Sequence, residues 1–267
     1  MNNFSLKNKN IIITGGGGYL AKNFIDEIVF YNGNPILIDK NSKALKKTKI
    51  FIKKKYNINV DCKICDLSIE NDVKETFKDI KNSYGVADGL INNAAYNPEV
   101  SKFKNIENNS FEKFSLESWN RHIEVGLSSA FMCTKYFALS SSTKKRSIIN
   151  ISSDLGLIAP NQSLYDYGKY KTYKPVSYSV IKHGIIGLTK YSSTYFLKKN
   201  IRCNALALGG VFKNQNKLFL KKIKELIPLG RMAKQNEYNS AIIFLLSDAS
   251  SYMNGSVMTI DGGRTAW

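Results

Sequence analysis

The chain has 267 residues, of which 43% are hydrophobic, and a formal net charge of +18. This composition is typical of a globular protein and argues against a disordered or fibrous chain. The longest apolar runs, such as residues 241–246, are too short to cross a bilayer, and the polar first ten residues lack the apolar core of a signal peptide. We therefore expect a cytoplasmic protein that does not associate with membranes.

Short β-branched or apolar runs alternate with longer stretches of helical apolar spacing along the whole chain. The runs predict seven strands, over residues 11–13, 35–38, 59–64, 89–91, 147–151, 201–206 and 257–260. The stretches predict helices over residues 20–30, 70–83, 116–140, 176–197, 216–225 and 236–247. This alternation is typical of an α/β fold whose mostly parallel, doubly wound sheet is covered by helices on both faces. No proline-rich or glycine/serine-rich linker interrupts this alternation, so we expect one domain over residues 1–267.

The 39 Lys and Arg residues are spread along the chain, and no nucleic-acid-binding motif accompanies them. Such a charge follows either from a compositional bias towards Lys, Asn and Ile, or from selection for anionic substrates or surfaces. We predict no nucleic-acid partner, and the charge by itself does not decide whether the small-molecule substrate is anionic.

The four cysteines lie in segments that look buried, which favours reduced thiols over a disulfide framework. Cys62 and Cys65 form one C-x-x-C pair without a second pair or a neighbouring histidine. We therefore predict that Cys62, Cys65, Cys133 and Cys203 are packing residues and that the chain holds no metal.

A glycine-rich stretch follows the first predicted strand and leads into the first predicted helix. It reads Thr14-Gly15-Gly16-Gly17-Gly18-Tyr19-Leu20-Ala21. Glycines let a pyrophosphate approach the backbone closely, and a helix N-terminus stabilises negative charge. The stretch therefore predicts a dinucleotide site that includes Thr14, Gly15, Gly18, Tyr19 and Leu20.

Asp39 ends the second predicted strand, 21 residues after Gly18. A carboxylate at this position accepts hydrogen bonds from the adenosine ribose hydroxyls and repels a 2′-phosphate. Asp39 therefore favours NAD over NADP, although Lys40 and Lys43 follow closely and are able to neutralise a phosphate.

Tyr178 and Lys182 lie four residues apart on a predicted helix, so their side chains share one face. A neighbouring ammonium favours the phenolate form of tyrosine and so favours proton exchange with an alcohol or a carbonyl. Ser153 follows the strand at residues 147–151, at the sheet edge where open α/β folds bind ligands. These three residues are the predicted catalytic group.

In this order the motifs resemble the short-chain dehydrogenase/reductase family over nearly the whole chain. The resemblance implies that Asp66 and Leu67 line an adenine pocket, and it adds to the coenzyme site Asn93, Ala94, Tyr178, Lys182, Gly209 and Val211. It also implies hydride transfer between the nicotinamide and a carbon that bears a hydroxyl or carbonyl group. Tyr178 would exchange the hydroxyl proton, Lys182 would bind the nicotinamide ribose and lower the pKa of Tyr178, and Ser153 would stabilise the reacting oxygen. Oligomeric relatives pair the helices that correspond to residues 116–140 and 176–197, so a homodimer or homotetramer is expected.

The chain departs from the family pattern at three places. Gly126 stands where the family has an asparagine that helps to hold a proton-relay water, Leu208-Gly209 replaces Pro-Gly after the sixth strand, and Ala21 stands at the last glycine of the coenzyme loop. A glycine accommodates the same helix distortion but holds no water by a side chain. Gly126 therefore puts the proton relay in question more than the hydride transfer.

Ser153 and Tyr178 are 25 residues apart, about a dozen more than the family's commonest spacing. The inserted segment, residues 160–175, mixes aromatic rings and cations, a composition suited to sugar rings with phosphate or carboxylate groups, or to a solvated loop or subunit contact. Its candidate substrate residues are Tyr165, Lys169, Lys171 and Lys174.

With Gly126 and the Gly-Arg-Thr-Ala-Trp ending, the insertion resembles the branch of the family found in flagellin-modification and surface-sugar pathways. We therefore predict an NAD-dependent oxidoreductase that interconverts a secondary alcohol and a ketone on an anionic, phosphorylated or nucleotide-linked sugar. The alternatives are a polyol or sugar-acid (gluconate-type) dehydrogenase and a dinucleotide-binding protein without catalysis.

Overall fold

The computed structural model describes residues 3–96, 109–140, 142–168 and 171–267. In these ranges seven parallel strands form one sheet in the order β3-β2-β1-β4-β5-β6-β7. The strands are β1 (Asn10–Thr14), β2 (Asn34–Asp39), β3 (Asp61–Ile64), β4 (Gly89–Asn92), β5 (Arg146–Ser153), β6 (Ile201–Leu208) and β7 (Val257–Ile260).

The helices of the described ranges cover both faces of this sheet. They are α1 (Ala21–Phe30), α2 (Ser42–Tyr56), α3 (Glu70–Tyr84), α4 (Leu116–Ile123), α5 (Ser129–Leu139), α6 (Val176–Tyr195), α7 (Lys217–Glu225) and α8 (Asn239–Leu246). None of the described helices is long and apolar enough to cross a membrane.

Strand alternation divides the core between the two faces. Ile11 and Ile13 are buried in a cluster with residues of α1 and α8, whereas Ile12 between them is buried against residues of α3 and α5. A strand buried on both faces needs an unbroken apolar run, which explains the three successive isoleucines. The strand order reverses between β1 and β4, so the carboxyl ends of these strands open the crevice in which such folds bind ligands.

The predicted doubly wound sheet is confirmed, with every strand parallel to its neighbours. Helix α2 was not predicted from the sequence, because its many lysines leave only a narrow buried stripe of Leu45, Thr48 and Ile52. Asn41 caps this helix by accepting a hydrogen bond from the amide of Ala44 at 3.0 Å.

The single helix predicted over residues 116–140 is divided by a π-helical turn at Glu124–Ser128. Gly126 lies in the middle of this turn and is buried. A helix distortion of the kind that a glycine accommodates is therefore present, in the form of one π turn between α4 and α5.

Candidate active site

The glycine loop after β1 has the close approaches that a dinucleotide cradle requires. Gly15 adopts φ +63°, and a Cβ atom at Gly17 would lie 2.5 Å from the Cβ of Ala44. The helix that follows, α1, has no side-chain hydrogen bond at its N-cap, Leu20. The loop and the helix N-terminus therefore fit a pyrophosphate, which needs both a bare backbone and N–H donors.

Thr14 joins this loop to the end of β4. Its hydroxyl accepts hydrogen bonds from the amides of Asn93 and Ala94, both at 3.0 Å, and the Asn93 amide group donates to the Thr14 carbonyl at 3.0 Å. The structure thus brings together three of the predicted coenzyme residues across the strand-order reversal.

Asp39 lies at the end of β2 beside the glycine loop. Its carboxylate accepts hydrogen bonds from the amide of Gly17 at 3.0 Å and from that of Asn41 at 2.9 Å. Lys40, which was considered as a phosphate ligand, forms an ion pair with Asp66 at 3.5 Å instead. Asp66 also accepts hydrogen bonds from the amide and hydroxyl of Ser68, which lower the pKa of its carboxyl group. Two acidic side chains therefore stand at the carboxyl edge of β2 and β3.

The segment after β6 closes over the same loop. The Tyr19 hydroxyl donates to the Phe212 carbonyl at 3.1 Å, and the Gly209 carbonyl accepts a hydrogen bond from Tyr238 at 2.9 Å. A Cβ atom at Gly209 would lie 2.7 Å from the Cα of Asp261, so the Leu208-Gly209 pair packs its backbone directly on the end of β7. Val211 is partly buried beside this contact, Leu20 lies against the core beneath the loop, and Leu67 is buried on the opposite face.

Helix α6 holds the predicted catalytic pair against the end of β5. The Lys182 ammonium donates to the Ile151 carbonyl at 2.8 Å, and the Ser152 hydroxyl donates to the Lys182 carbonyl at 2.8 Å. A Cβ atom at Gly156 would lie 2.7 Å from that same Lys182 carbonyl, so a small residue is needed for the approach. These contacts bring Tyr178, Lys182 and Ser153 to one sheet edge.

The electrostatics around Tyr178 differ from the expectation that Lys182 lowers its pKa. Burial raises the pKa of Tyr178, an effect that the Ser153 hydroxyl opposes. The Lys182 ammonium lies 5.8 Å from the centroid of the Tyr178 ring, whereas the Lys174 ammonium lies 3.6 Å from it. Burial lowers the pKa of each lysine to about 8. Of these two lysines, the one from the inserted segment therefore lies nearer to the tyrosine ring.

Ser153 is buried and donates a hydrogen bond to the carboxylate of Asp154 at 2.7 Å. Arg264, close to the carboxyl-terminal end of the chain, donates to the other oxygen of Asp154 at 2.7 Å. Neither partner of this ion pair was singled out from the sequence. The sequence offers one signal for Asp154, a charged residue directly after a predicted buried strand. Its partner Arg264 stands 110 positions further along the chain.

The inserted segment is folded against α7. Lys222 donates to the carbonyls of Ser163 and Asp166, both at 2.8 Å, and Asp166 pairs with Lys171 in an antiparallel bridge. Tyr165 is buried against Phe219, at 5.8 Å between ring centroids.

The four candidate substrate residues in this segment have different surroundings. Lys174 faces Tyr178, Lys171 is exposed with its ammonium 5.5 Å from the Tyr173 ring centroid, and Tyr165 is buried in the segment's own core. Lys169 lies outside the described residues. Among the described candidates, Lys174 is therefore the one whose ammonium group lies over the ring of the predicted catalytic tyrosine.

Gly126 packs against Ile181 of α6, the residue directly before Lys182. A Cβ atom at this glycine would lie 2.9 Å from Cδ1 and 3.0 Å from Cγ2 of Ile181. Ile181 is buried in a cluster with Ala130 and Ile185. An isoleucine side chain therefore fills the space beside position 126, and the pair Gly126 and Ile181 went unrecognised from the sequence.

The fold and this edge of the sheet define a dinucleotide-dependent oxidoreductase. A family model described as Enoyl-(Acyl carrier protein) reductase matches residues 32–265. The chain is 31% identical to an uncharacterized oxidoreductase of Haemophilus influenzae, over 99% of this chain and 96% of that protein. It is 28% identical to post-translational flagellin modification protein A of Campylobacter coli, over 97% of this chain and 98% of that protein.

A solved structure from Haemophilus influenzae, assigned as a D-mannonate oxidoreductase and holding NAD, is 28% identical to the chain. It superposes with a TM-score of 0.83, over 98% of this chain and 97% of its own. The chain therefore belongs to the short-chain dehydrogenase/reductase family, and its coenzyme is a nicotinamide dinucleotide.

Proposed function

We propose that this protein interconverts a secondary alcohol and a ketone on an anionic sugar derivative, with NAD as its coenzyme. The observation that carries the proposal is the Lys174 ammonium, 3.6 Å from the centroid of the Tyr178 ring. An added cation at the reacting group favours a substrate that brings its own negative charge.

The reaction itself needs few groups from the chain. NAD, when bound, accepts a hydride from the carbon that bears the hydroxyl group. Tyr178 takes the hydroxyl proton during oxidation and returns it during reduction, and Ser153 holds the oxygen on which charge changes. Because burial raises the pKa of Tyr178, the phenol is protonated at neutral pH and is ready to donate a proton to a ketone.

The balance of charge around Tyr178 supports an anionic substrate. Arg264 is neutralised by Asp154, and Lys182 is the residue expected to bind the nicotinamide ribose. Lys174 is partly buried, and among the described residues it forms no ion pair, although Asp154 attracts it from a longer distance. A phosphate or carboxylate group on the substrate would supply the missing partner, and burial would strengthen that attraction.

Asp39 supports NAD over NADP. Two backbone amides hold its carboxylate beside the glycine loop, where it would face the ribose hydroxyls and repel a 2′-phosphate. Lys40 points its charge at Asp66 instead of leaving it available for that phosphate.

The test is an NADH-absorbance screen of the wild-type enzyme against three groups of compounds. They are phosphorylated and nucleotide-linked sugars (glucose 6-phosphate, UDP-glucose), sugar acids (D-gluconate, D-mannonate) and neutral polyols (sorbitol, mannitol). The first group represents the leading hypothesis and the second represents the sugar-acid alternative, which the D-mannonate assignment of the relative with bound NAD favours. A preference for neutral polyols would contradict the proposal.

The same screen is repeated with Lys174→Met and with Lys171→Met, an exposed lysine of the same segment, as the matched control. Loss of one charge-assisted hydrogen bond costs about 1.5–3 kcal/mol, so Lys174→Met should raise KM for the anionic substrate about 10- to 100-fold. An equal rise for neutral polyols, or an equal effect of Lys171→Met, would remove the anion assignment from Lys174.

We further propose that the chain is one catalytic domain that acts as a homodimer or homotetramer in the cytoplasm. Helices α5 and α6 leave large apolar side chains exposed, including Phe131 at 53% and Tyr191 and Tyr195 at 65% each. The four free thiols suit a reducing compartment. Light scattering of the purified protein tests the assembly, and a monomeric mass would contradict it.

A further inference from the structure

A buried ion pair stands directly behind the candidate catalytic serine. The Asp154 carboxylate accepts one hydrogen bond from the Ser153 hydroxyl and one from Arg264, each at 2.7 Å and each on a different oxygen. The side chains of Arg264 and Asp154 are only 8% and 3% exposed. The pair therefore links the serine to a residue that follows the last strand.

A buried ion pair is a poor device for stability alone. Removing both charges from water costs several kcal/mol, and well-packed apolar residues often stabilise a protein at least as well. The arrangement does, however, fix a geometry. The Leu155 amide donates to the Asp154 oxygen that holds Ser153, at 2.8 Å, and to the Ser153 hydroxyl itself, at 3.2 Å. The serine hydroxyl is thus held by two neighbours within one turn.

The turn after β7 holds Arg264 in place. One oxygen of Asp261 accepts a hydrogen bond from the Gly263 amide at 2.9 Å, and the other accepts from the amide and hydroxyl of Thr265 at 2.8 and 2.7 Å. Gly262 and Gly263 adopt φ values of +69° and +90°, which favour glycine. The guanidinium group therefore reaches Asp154 from a fixed backbone.

We propose that Asp154 and Arg264 are positioning residues, which fix the rotamer of Ser153 and so the place of its hydroxyl oxygen. The serine proton, donated to Asp154 in this structure, turns to the substrate oxygen when the substrate binds, and Asp154 keeps its hydrogen bonds from the Leu155 amide and Arg264. Asp154 acts on the serine directly, and Arg264 acts through Asp154. This inference rests on the proposed function in one respect, the role of Ser153.

The first experiment is a set of crystal structures and requires no turnover. In Asp154→Ala and Arg264→Met the Ser153 hydroxyl should leave the rotamer that it has in the wild-type protein, and in Arg264→Lys it should keep that rotamer. An unchanged Ser153 rotamer in both Asp154→Ala and Arg264→Met would overturn the proposal. Arg231→Met is the control, since Arg231 forms a comparable ion pair with Glu237 at 2.7 Å on the surface.

The second experiment is kinetic and uses the compound of the screen that the wild-type enzyme converts fastest. Misplacement of a reacting group by about 1 Å costs about 100-fold in rate, so Asp154→Ala and Arg264→Met should lower kcat about 10- to 100-fold. KM for NAD should change less than about twofold, because neither Asp154 nor Arg264 is among the predicted coenzyme residues. Arg264→Lys should recover part of the loss, and Arg231→Met should match the wild type.

A double-mutant cycle separates positioning from a general structural role. In a Ser153→Ala background, Asp154→Ala and Arg264→Met should lower kcat less than about twofold further, because they act through the absent hydroxyl. Losses that add fully to that of Ser153→Ala would overturn the inference. If Ser153→Ala alone keeps full turnover, the serine assignment in the proposed function fails, while the crystal structures still decide whether the pair fixes the rotamer.

Discussion

The contact between Gly126 and Ile181 allows a quantitative prediction about stability. Replacing Gly126 by alanine would gain about 1 kcal/mol of helix propensity. The new Cβ atom would, however, lie 2.9 Å and 3.0 Å from two carbons of Ile181, whereas carbon atoms pack best at about 3.5–4.0 Å. Overpacking of this kind costs about 1–3 kcal/mol. We therefore expect Gly126→Ala to lower the free energy of unfolding by about 1 kcal/mol.

Gly126→Asn, which restores the family's residue, should cost more. Its amide would enter an apolar cluster that contains Ala130, Ile181 and Ile185. An unpaired buried amide adds about 1–3 kcal/mol to the overpacking, for a total of about 3 kcal/mol. Ile181→Ala alone should cost about 2–4 kcal/mol because it leaves a cavity. The double variant should be more stable than the sum of the single effects by about 2 kcal/mol, because the shortened side chain makes room for the amide.

The measurement is urea unfolding followed by circular dichroism, with every variant at the same protein concentration because the chain is expected to oligomerise. Each single variant and the double variant are compared with the wild type in a double-mutant cycle. Effects that add to within about 0.5 kcal/mol would refute the reasoning, since they would mean that position 126 and Ile181 do not compete for space.

Three further predictions concern the site. Tyr178→Phe should lower kcat at least about 100-fold, as expected for loss of a general acid, while NADH binding followed by fluorescence weakens far less; full turnover would mean a different proton donor. Fluorescence titration should also show tighter binding of NADH than of NADPH to the wild type, with a smaller difference in Asp39→Asn; a wild-type preference for NADPH would contradict the role of Asp39. Because the pKa of Lys174 is lowered to about 8, the folded protein binds fewer protons than the unfolded chain between about pH 8 and the ordinary lysine pKa, and this lysine makes stability rise with pH in that window. Lys174→Met should remove that part of the rise and should be about 1–2 kcal/mol more stable than the wild type at pH 7. The measurement is the free energy of unfolding in urea at several pH values. The same dependence on pH in the variant and in the wild type would contradict the prediction.

Local patterns in the sequence were enough to predict most of the fold. The run Ile11 to Ile13 and the isoleucines of β5 are typical of strands buried on both faces, and such strands indicate a two-sided sheet. Helix α2 was not predicted because lysines outnumber the few buried residues of its single stripe. Apolar periodicity predicts a helix only where the buried face carries enough apolar residues to stand out from the polar ones.

The candidate site was predictable where the residues stand in order along the chain. The glycine loop, Asp39, Ser153, Tyr178 and Lys182 each follow a predicted strand or share one helix face. Pairs that meet only in three dimensions were not predictable from one sequence.

Arg264 and Asp154 are such a pair, at 110 residues apart, and so are Gly126 and Ile181. The raised pKa of Tyr178 belongs to the same class, because spacing to Lys182 says nothing about desolvation.

The attachment of the inserted segment to α7 has a consequence for how substrate preference changes between related enzymes. Lys222 and Phe219 hold the segment from α7, whereas the coenzyme loop is joined to β4 by Thr14 and Asn93. The two halves of the crevice are thus supported by separate sets of contacts. Related enzymes are therefore able to differ in the inserted segment and α7 together while they keep the same nucleotide recognition. A chimera built in the laboratory should therefore transplant residues 160–175 and 217–225 as one unit, because a graft of the segment alone would lose its anchor.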